Sequence, residues 1–308
     1  MNAKKIFSLL AMASLFSGFF YFSSQFCNAQ TDGFSIARIH SDLPYETQWE
    51  ASALSAEETT ALDEALSQPF HYLGCGGQCF AFASEDDQYV IKFFKHRIRK
   101  PFTYFYHANL PRILDEVRER KYYKAVFKLN RDFNSYKMAY ENLRAESGLI
   151  YIHLNKHEKT TPLCIGNKQL EVIDKLGIRH AIELDGIEFV VQKKATLAYD
   201  RIAALMQKSD LTGARESMRS IIHAIAERCK KGIFDEDPKI HRNLGFVGTE
   251  PIFIDVGRFI MDPSRKKPEV YCKDIRYITK RLHHDLEDNY PLLVPILEEE
   301  IHAFENSL

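Results

Sequence analysis

From Phe70 onward the chain alternates short apolar runs with polar, glycine-containing breaks, and the spacing of the apolar positions predicts each element in turn. Tyr89-Val90-Ile91-Lys92-Phe93-Phe94 is a six-residue strand with one lysine among apolar neighbours. Phe133, Tyr136, Tyr140 and Leu143 recur at helical intervals and predict a helix over about 131–146, with Gly148 as its stop. Strands are expected near Leu170 to Lys175 and His180 to Leu184, and a further strand leading into a linker at Phe189 to Ala195. Ile221, Ile222, Ile225 and Ala226 mark the inward face of a helix over about 212–230. Leu244 to Val247 and Pro251 to Ile254 are brief apolar segments joined by Gly248-Thr249-Glu250, a hairpin signal that brings Asn243 back beside Asp255. Nearer the start, Ser55 with Glu58 three residues later caps a helix over 55–67.

The first thirty residues have a different pattern. Lys4 and Lys5 precede an apolar run from Ile6 to Phe22, and a polar stretch ends in Cys27-Asn28-Ala29. That is the layout of a bacterial-type signal sequence over residues 1–29, either cleaved after Ala29 or kept as an N-terminal membrane anchor. Either outcome places the folded part across the bacterial inner membrane: periplasmic, membrane-anchored or secreted, including delivery into a host cell. Residues 30–66 read as a docking or spacer lead-in. Lys95 to Lys100 is basic and is followed by Phe102, Tyr104, Phe105 and Tyr106, which reads as an insertion packed on the sheet or as a contact for a membrane surface or acidic partner.

With 308 residues and 45% apolar content the chain can bury a full core. A formal charge of −1 gives no global argument for nucleic acid. The six cysteines and the histidines His223, His241, His283 and His284 show no zinc spacing. Cys75 and Cys79 could meet across the intervening turn as a disulfide, or serve as small packed thiols.

Two stretches carry candidate chemistry. Gly74, Gly76 and Gly77 precede the Lys92 strand, and glycines let backbone N–H groups approach phosphate oxygens while a strand lysine reaches toward them. A plain hairpin turn with a solvent-side lysine is the simpler alternative. Far downstream, Asp237, Asn243 and Asp255 follow one another in an order suited to a metal-bound phosphate, although Asp and Asn beside a hairpin are also ordinary turn residues.

Together these stretches resemble the protein-kinase-like superfamily over about Phe70 to Phe259. Gly74-Cys75-Gly76-Gly77-Gln78 looks like the glycine-rich loop and Val90-Ile91-Lys92 like the strand of the phosphate-pairing lysine. Gly232-Ile233-Phe234-Asp235-Glu236-Asp237 lines up with the G-I-V-H-R-D segment and Asp255-Val256-Gly257 with D-F-G. The resemblance implies an α+β, bilobal fold: an N-lobe of antiparallel sheet plus helix over 67–195, and a reduced, mostly helical C-lobe over 196–308. It implies ATP with Mg2+ or Mn2+ as cofactors, Lys92 on the phosphates, Asp237 as catalytic aspartate with Asp235 as its rival, and Asn243 and Asp255 on the metal. Glu141, or else Glu146, would pair with Lys92. Backbone groups around Gln192, Lys193 and Lys194 would read the adenine.

The sequence departs from the family where Cys79 replaces the third glycine, where Asp235 and Glu236 replace His and Arg, and where Val256 replaces Phe. Without that arginine, docking of a phosphorylated activation loop is not expected. The implied activity is transfer of the γ-phosphoryl of ATP to a hydroxyl of a protein, glycan or small-molecule acceptor. The alternative is a secreted pseudokinase acting as a scaffold.

Overall fold

The computed structural model describes residues 3–41, 43–96, 115–155 and 168–308. The basic and aromatic stretch around 97–106 lies outside the described residues, Lys95 and His96 excepted. Three antiparallel strands, β1 (Phe70–Cys75), β2 (Cys79–Ser84) and β3 (Tyr89–Phe94), form the first unit. Helix α4 (Asp115–Asn142) follows, longer at its start than its apolar spacing predicts. Earlier helices are α1 (Ala3–Gln30), α2 (Ile36–Ile39) and α3 (Ala56–Ala65). A break at Leu143 leads to one turn, α5 (Arg144–Ser147), which ends at Gly148 in the left-handed region with φ 62°. A Cβ there would lie 2.9 Å from Ile252 Cδ1, so both conformation and space select glycine.

β4 (Leu149–His153), the hairpin β5 (Gln169–Ile173) and β6 (Arg179–Glu183), and β7 (Phe189–Lys193) complete a curled seven-stranded sheet in the order β4-β7-β3-β2-β1-β5-β6. β7 lies between β4 and β3, and β5 runs parallel to β1 at the far side. Side chains alternate between faces along each strand. Phe80, Phe82, Ile91, Phe93, Phe189 and Val191 share one face, while Cys79, Phe94, Val190 and Lys92 lie on the other.

The lead-in covers the first face. Phe34 makes edge contacts with Phe80 and Phe82 at centroid distances of 5.3 and 5.0 Å, and Ile39, Leu62 and Leu66 join the same core. Ser41 Oγ donates to Glu188 Oε1 at 2.6 Å, and His96 Nε2 lies 2.8 Å from Glu188 Oε2, all three side chains buried. The lead-in therefore contributes buried residues to this core and is more than a spacer. α3 has the expected cap: Ser55 accepts from Glu58 N and the Glu58 carboxylate accepts from Ser55 N.

Beyond the sheet, β8 (Thr196–Leu197), β10 (Leu244–Val247) and β11 (Glu250–Phe253) form a small sheet, and β9 (Ile233–Asp235) pairs with β12 (Phe259–Met261). Helices α6 (Ala198–Gln207), α7 (Leu211–Lys230), α9 (Pro268–Asn289) and α10 (Val294–Asn306) surround them, with the single turn α8 (Ile240–Asn243). The second core spans this region and the inner sheet face, including Phe133, Tyr136, Ile225, Phe253 and Phe259. The fold is thus mixed α/β. Among the described residues no helix is long and apolar enough to cross a membrane. Cys75 and Cys79 are free thiols, the first exposed and the second buried.

Candidate functional site

Strand alternation aims Lys92 at the inner face, where it is 7% exposed. Its Nζ donates to the carbonyl oxygen of Ile254 at 2.5 Å, the residue before Asp255. Burial lowers the Lys92 pKa, and the nearby Asp255 carboxylate acts against that fall. The β10–β11 hairpin turns at Gly248, φ 62°, with Leu244 opposite Phe253. Asn243 and Ile254 therefore face each other, and Ile254 N donates to Asn243 O at 2.8 Å. One carbonyl and one amide of Ile254 thus tie the lysine strand, Asn243 and Asp255 together.

The loop from Asp235 to Asn243 is fixed from within. Asn243 Nδ2 donates to the Asp237 carbonyl oxygen at 2.6 Å, and Asp237 N donates to Asp235 Oδ1 at 2.9 Å. Asp235 is 3% exposed, and burial pushes its carboxyl up to about 6, opposed by Arg228 and by the Asp237 N–H. Arg228 Nη1 lies 3.3 Å from Asp235 Oδ2, and its guanidinium sits over the rings of Phe253 and Phe259. Asp237 is more open. Burial works to raise its carboxyl, but Lys239 Nζ at 2.5 Å and Arg242 Nη2 at 3.0 Å outweigh it and hold the pKa below the usual range.

The glycine loop closes the other side. A Cβ on Gly74, Gly76 or Gly77 would meet nothing within 4 Å, so internal packing gives no reason for glycine at any of them. Gln78 Nε2 reaches across to Gly257 O at 2.9 Å and to Asp132 Oδ1 on α4 at 3.1 Å. A Cβ on Gly257 would come within 1.8 Å of Gln78 Oε1, so this approach requires glycine after Val256.

Asn243 and Asp255 supply the oxygens a hard divalent cation prefers. The Asn243 amide nitrogen is spent on Asp237 O, leaving its oxygen as the atom a cation could use. Asp255 Oδ1 accepts from Gly257 N at 3.1 Å, leaving the second carboxylate oxygen. Two protein ligands suit Mg2+, which takes remaining ligands from phosphates and water. Among the described residues no group of three or more His, Cys, Asp or Glu could hold a metal ion.

Two expectations are corrected. Glu141 does not pair with Lys92: its side chain is 44% exposed and lies 3.7 Å from Lys137 Nζ. Glu146 pairs instead with Lys231. The α4 face turned to the site presents Tyr136, whose hydroxyl is 4.0 Å from Cys79 Sγ, and Ser135, whose Oγ accepts from Phe259 N at 2.5 Å. The expected adenine-reading backbone is also largely committed. Lys193 N donates to Gly148 O at 2.9 Å and Lys194 N to Gln88 O at 2.8 Å. The Gln192 side chain is buried and donates to Ser147 O at 2.5 Å and Phe253 O at 3.0 Å. Ala195 is the first linker residue beyond, and it lies over Gly245, where an added Cβ would be 3.0 Å from Ala195 Cβ and 2.5 Å from Thr196 O.

Arg228 and Lys239 are site residues that the sequence reading passed over. Arg228 stands three positions after Ile225 on an inward helix face, which itself signals a buried partner. Lys239 follows Asp237 by two residues, close enough for a loop to fold one onto the other.

No protein-family model matches the chain, and no curated protein sequence matches it. Among solved structures it is similar to a medium-resolution structure of WbdD, described as a bifunctional kinase-methyltransferase, at TM-score 0.35 and 14% identity over 72% of this chain and 42% of that one. A 2.2 Å WbdD structure gives TM-score 0.32 and 16% identity over 73% and 43%. A WbdD co-crystal with the kinase inhibitor LY294002 gives 0.34 and 12% over 74% and 45%. The chain spans less than half the length of these structures, and overlaps of this size assign no activity to it.

Proposed function

We propose that the chain is an atypical ATP-dependent kinase with the bilobal protein-kinase-like arrangement, the first lobe over 67–195 and the second over 196–308. One observation carries the reading: Lys92, Asn243 and Asp255, distant in sequence, meet around Ile254. A buried cation from a central strand beside Asp255 and Asn243 suits a metal-bound polyphosphate, and Gly74, Gly76 and Gly77 leave open space where side chains would stand, the Gly76 N–H being given to Cys79 O at 3.0 Å. Mg2+ or Mn2+ held by Asn243 and Asp255 would neutralise phosphate charge. Lys92 positions the phosphates. Asp237 orients the acceptor hydroxyl and takes its proton as the acceptor oxygen bonds to the γ-phosphorus and the bond from phosphorus to the bridging oxygen breaks, releasing ADP. Lys239 beside Asp237 offers charge to the group in transit.

A thermal shift of the full chain with ATP and Mg2+ or Mn2+, beside Lys92→Ala and Asp255→Ala, tests this. A metal-dependent rise in Tm that both variants lose is the expected result. No rise with any nucleotide would remove the reading. A second reading, a pseudokinase scaffold, is favoured because no glutamate among the described residues pairs with Lys92 and because the Gln78 side chain is bridged to Gly257. It predicts that Asp255→Ala leaves partner binding intact and that no turnover is found with any acceptor.

A further inference from the structure

Beside the Asp237 loop lies a cavity of about 630 Å3 between residues 236–240, Tyr199 on α6 and the exposed stripe Tyr277, Lys280, Arg281 and His284 of α9. Those four positions fall at helical spacing opposite the buried Ile275, Ile278, Leu282 and Leu286. Their charges are not equivalent. His284 is held by Glu287 and Asp288, and Lys239 by Asp237. Among the described residues no carboxylate lies within ion-pair reach of Lys280 or Arg281, and Asp285, one turn beyond Arg281, accepts from Asn289 instead.

A further polar group of the lining lacks a partner among the described residues: the Tyr199 hydroxyl is buried without a hydrogen bond. Burial and Asp285 raise the Tyr199 pKa to about 12, while Arg281 on the same cavity wall opposes the rise. A guanidinium and a hydroxyl lining one cavity are thus both without a protein acceptor among the described residues. At the other end the Asp237 carboxylate is already neutralised by Lys239 and Arg242, so it does not repel an incoming anion.

We propose that this cavity is an acceptor subsite for a small hydroxyl compound bearing an anionic group, with the hydroxyl toward Asp237 and the anion held by Arg281 together with Tyr199. The assignment of the hydroxyl end rests on the kinase reading, whereas the anion site does not. A phosphate or a carboxylate satisfies the same donors, and guanidinium pairs with either in bidentate geometry.

Calorimetric titration of the full chain at low ionic strength, without nucleotide, tests the site with inorganic phosphate, glucose 6-phosphate, glucuronate and glucose. Wild type is compared with Arg281→Ala, Arg281→Lys and Arg276→Ala, the last an exposed arginine elsewhere on α9 that is paired with Glu305. The expected result is binding of anionic probes and not of glucose, weakened about tenfold or more by Arg281→Ala, partly restored by Arg281→Lys and unchanged by Arg276→Ala. Preference for glucose 6-phosphate or for glucuronate identifies the anion as phosphate or carboxylate. Binding that Arg281→Ala leaves unchanged, or glucose bound as tightly as the anions, overturns the proposal, as does silence from all anionic probes. Anion binding at Arg281 in a chain that shows no nucleotide-dependent shift would keep the site and remove the kinase reading; a nucleotide shift without anion binding would do the reverse.

Discussion

Lys92 Nζ and the carbonyl oxygen of Ile254 lie 2.5 Å apart although 162 positions separate them in the chain. The bond satisfies an ammonium that burial disfavours, and it holds the lysine near Asp255 with no carboxylate among the described residues in direct contact. Lys92→Met keeps the aliphatic stem and removes the charge. If the proposed kinase activity is present, turnover should fall on the order of a hundredfold or more, as when a preorganised charge is taken from a phosphoryl-transfer site. Stability should change little, because the loss of one hydrogen bond is offset by relief of a desolvated cation. Turnover assays beside urea melts check both; a large loss of stability with retained turnover would make Lys92 a structural residue.

Asp235 and Asp237 compete for the catalytic role in the proposed kinase, and the structure gives them different environments. Asp235 is buried against Arg228 and receives the Asp237 N–H, whereas Asp237 is partly open and faces the cavity. Asp237→Asn should lower kcat by orders of magnitude with little change in Tm. Asp235→Asn should change kcat far less, and its effect on Tm should vary with pH, since the folded state favours the neutral form of this carboxyl. The opposite pattern would exchange their roles.

The Asp235 carboxyl also predicts a pH signature. Its folded pKa, about 6, lies above the ordinary aspartate value of 3.8, so the folded state binds the proton more tightly than the unfolded chain. Its contribution to stability is full below 3.8 and is lost as pH rises through about 6. The gap between 3.8 and about 6 corresponds to about 3 kcal/mol. Other carboxylates, Asp237 and Glu188 among them, have lowered pKa values and work in the opposite sense at lower pH. The stability difference between wild type and Asp235→Asn isolates the effect. It should fall by up to about 3 kcal/mol from pH 4 to pH 7; a flat difference would show that this carboxyl titrates normally.

What the sequence made legible was local. The β3 strand, the Ser55–Glu58 capping box and the hairpin carrying Asn243 to Asp255 each follow from a handful of adjacent residues, and each is present. The partner of Lys92 was missed because it depends on the rotation of a helix. Yet the stripe Phe133, Tyr136, Tyr140 and Leu143 already fixed that rotation: Glu141, one position after Tyr140, lies about 100° around the helix and must face away. The linker backbone was misread for another reason. Strand pairing across β7 consumes the Lys193 and Lys194 N–H groups, and pairing partners are not written in a single strand.

Gln78 and Gly257 offer a test of how the glycine loop is held. Gly257→Ala would place a Cβ 1.8 Å from Gln78 Oε1, so the side chain must leave its bonds to Gly257 O and Asp132. The cost should be about 1–3 kcal/mol. In a Gln78→Ala background the same substitution should cost much less, giving a coupling energy of about 1 kcal/mol or more in a double-mutant cycle. Additive effects would show that Gln78 does not hold the loop. Gln78→Ala alone should also speed amide hydrogen exchange at residues 74–78.

The lead-in segment makes the last prediction. If it were a spacer, Phe34 could be shortened without consequence. Instead its ring is 5% exposed and lies between Phe80, Phe82 and the ring of His180, on the face opposite Lys92. Phe34→Ala should cost about 3–5 kcal/mol, the usual loss for a buried aromatic. A denaturant melt with intrinsic fluorescence reads this directly through Trp49, whose ring meets Phe133 at 5.3 Å on the opposite side of the sheet. Because Phe34 touches none of the site residues, the nucleotide-dependent shift in Tm should survive at temperatures where the variant is folded. A loss below about 1 kcal/mol would mean that the sheet's outer face does not depend on this ring for its cover.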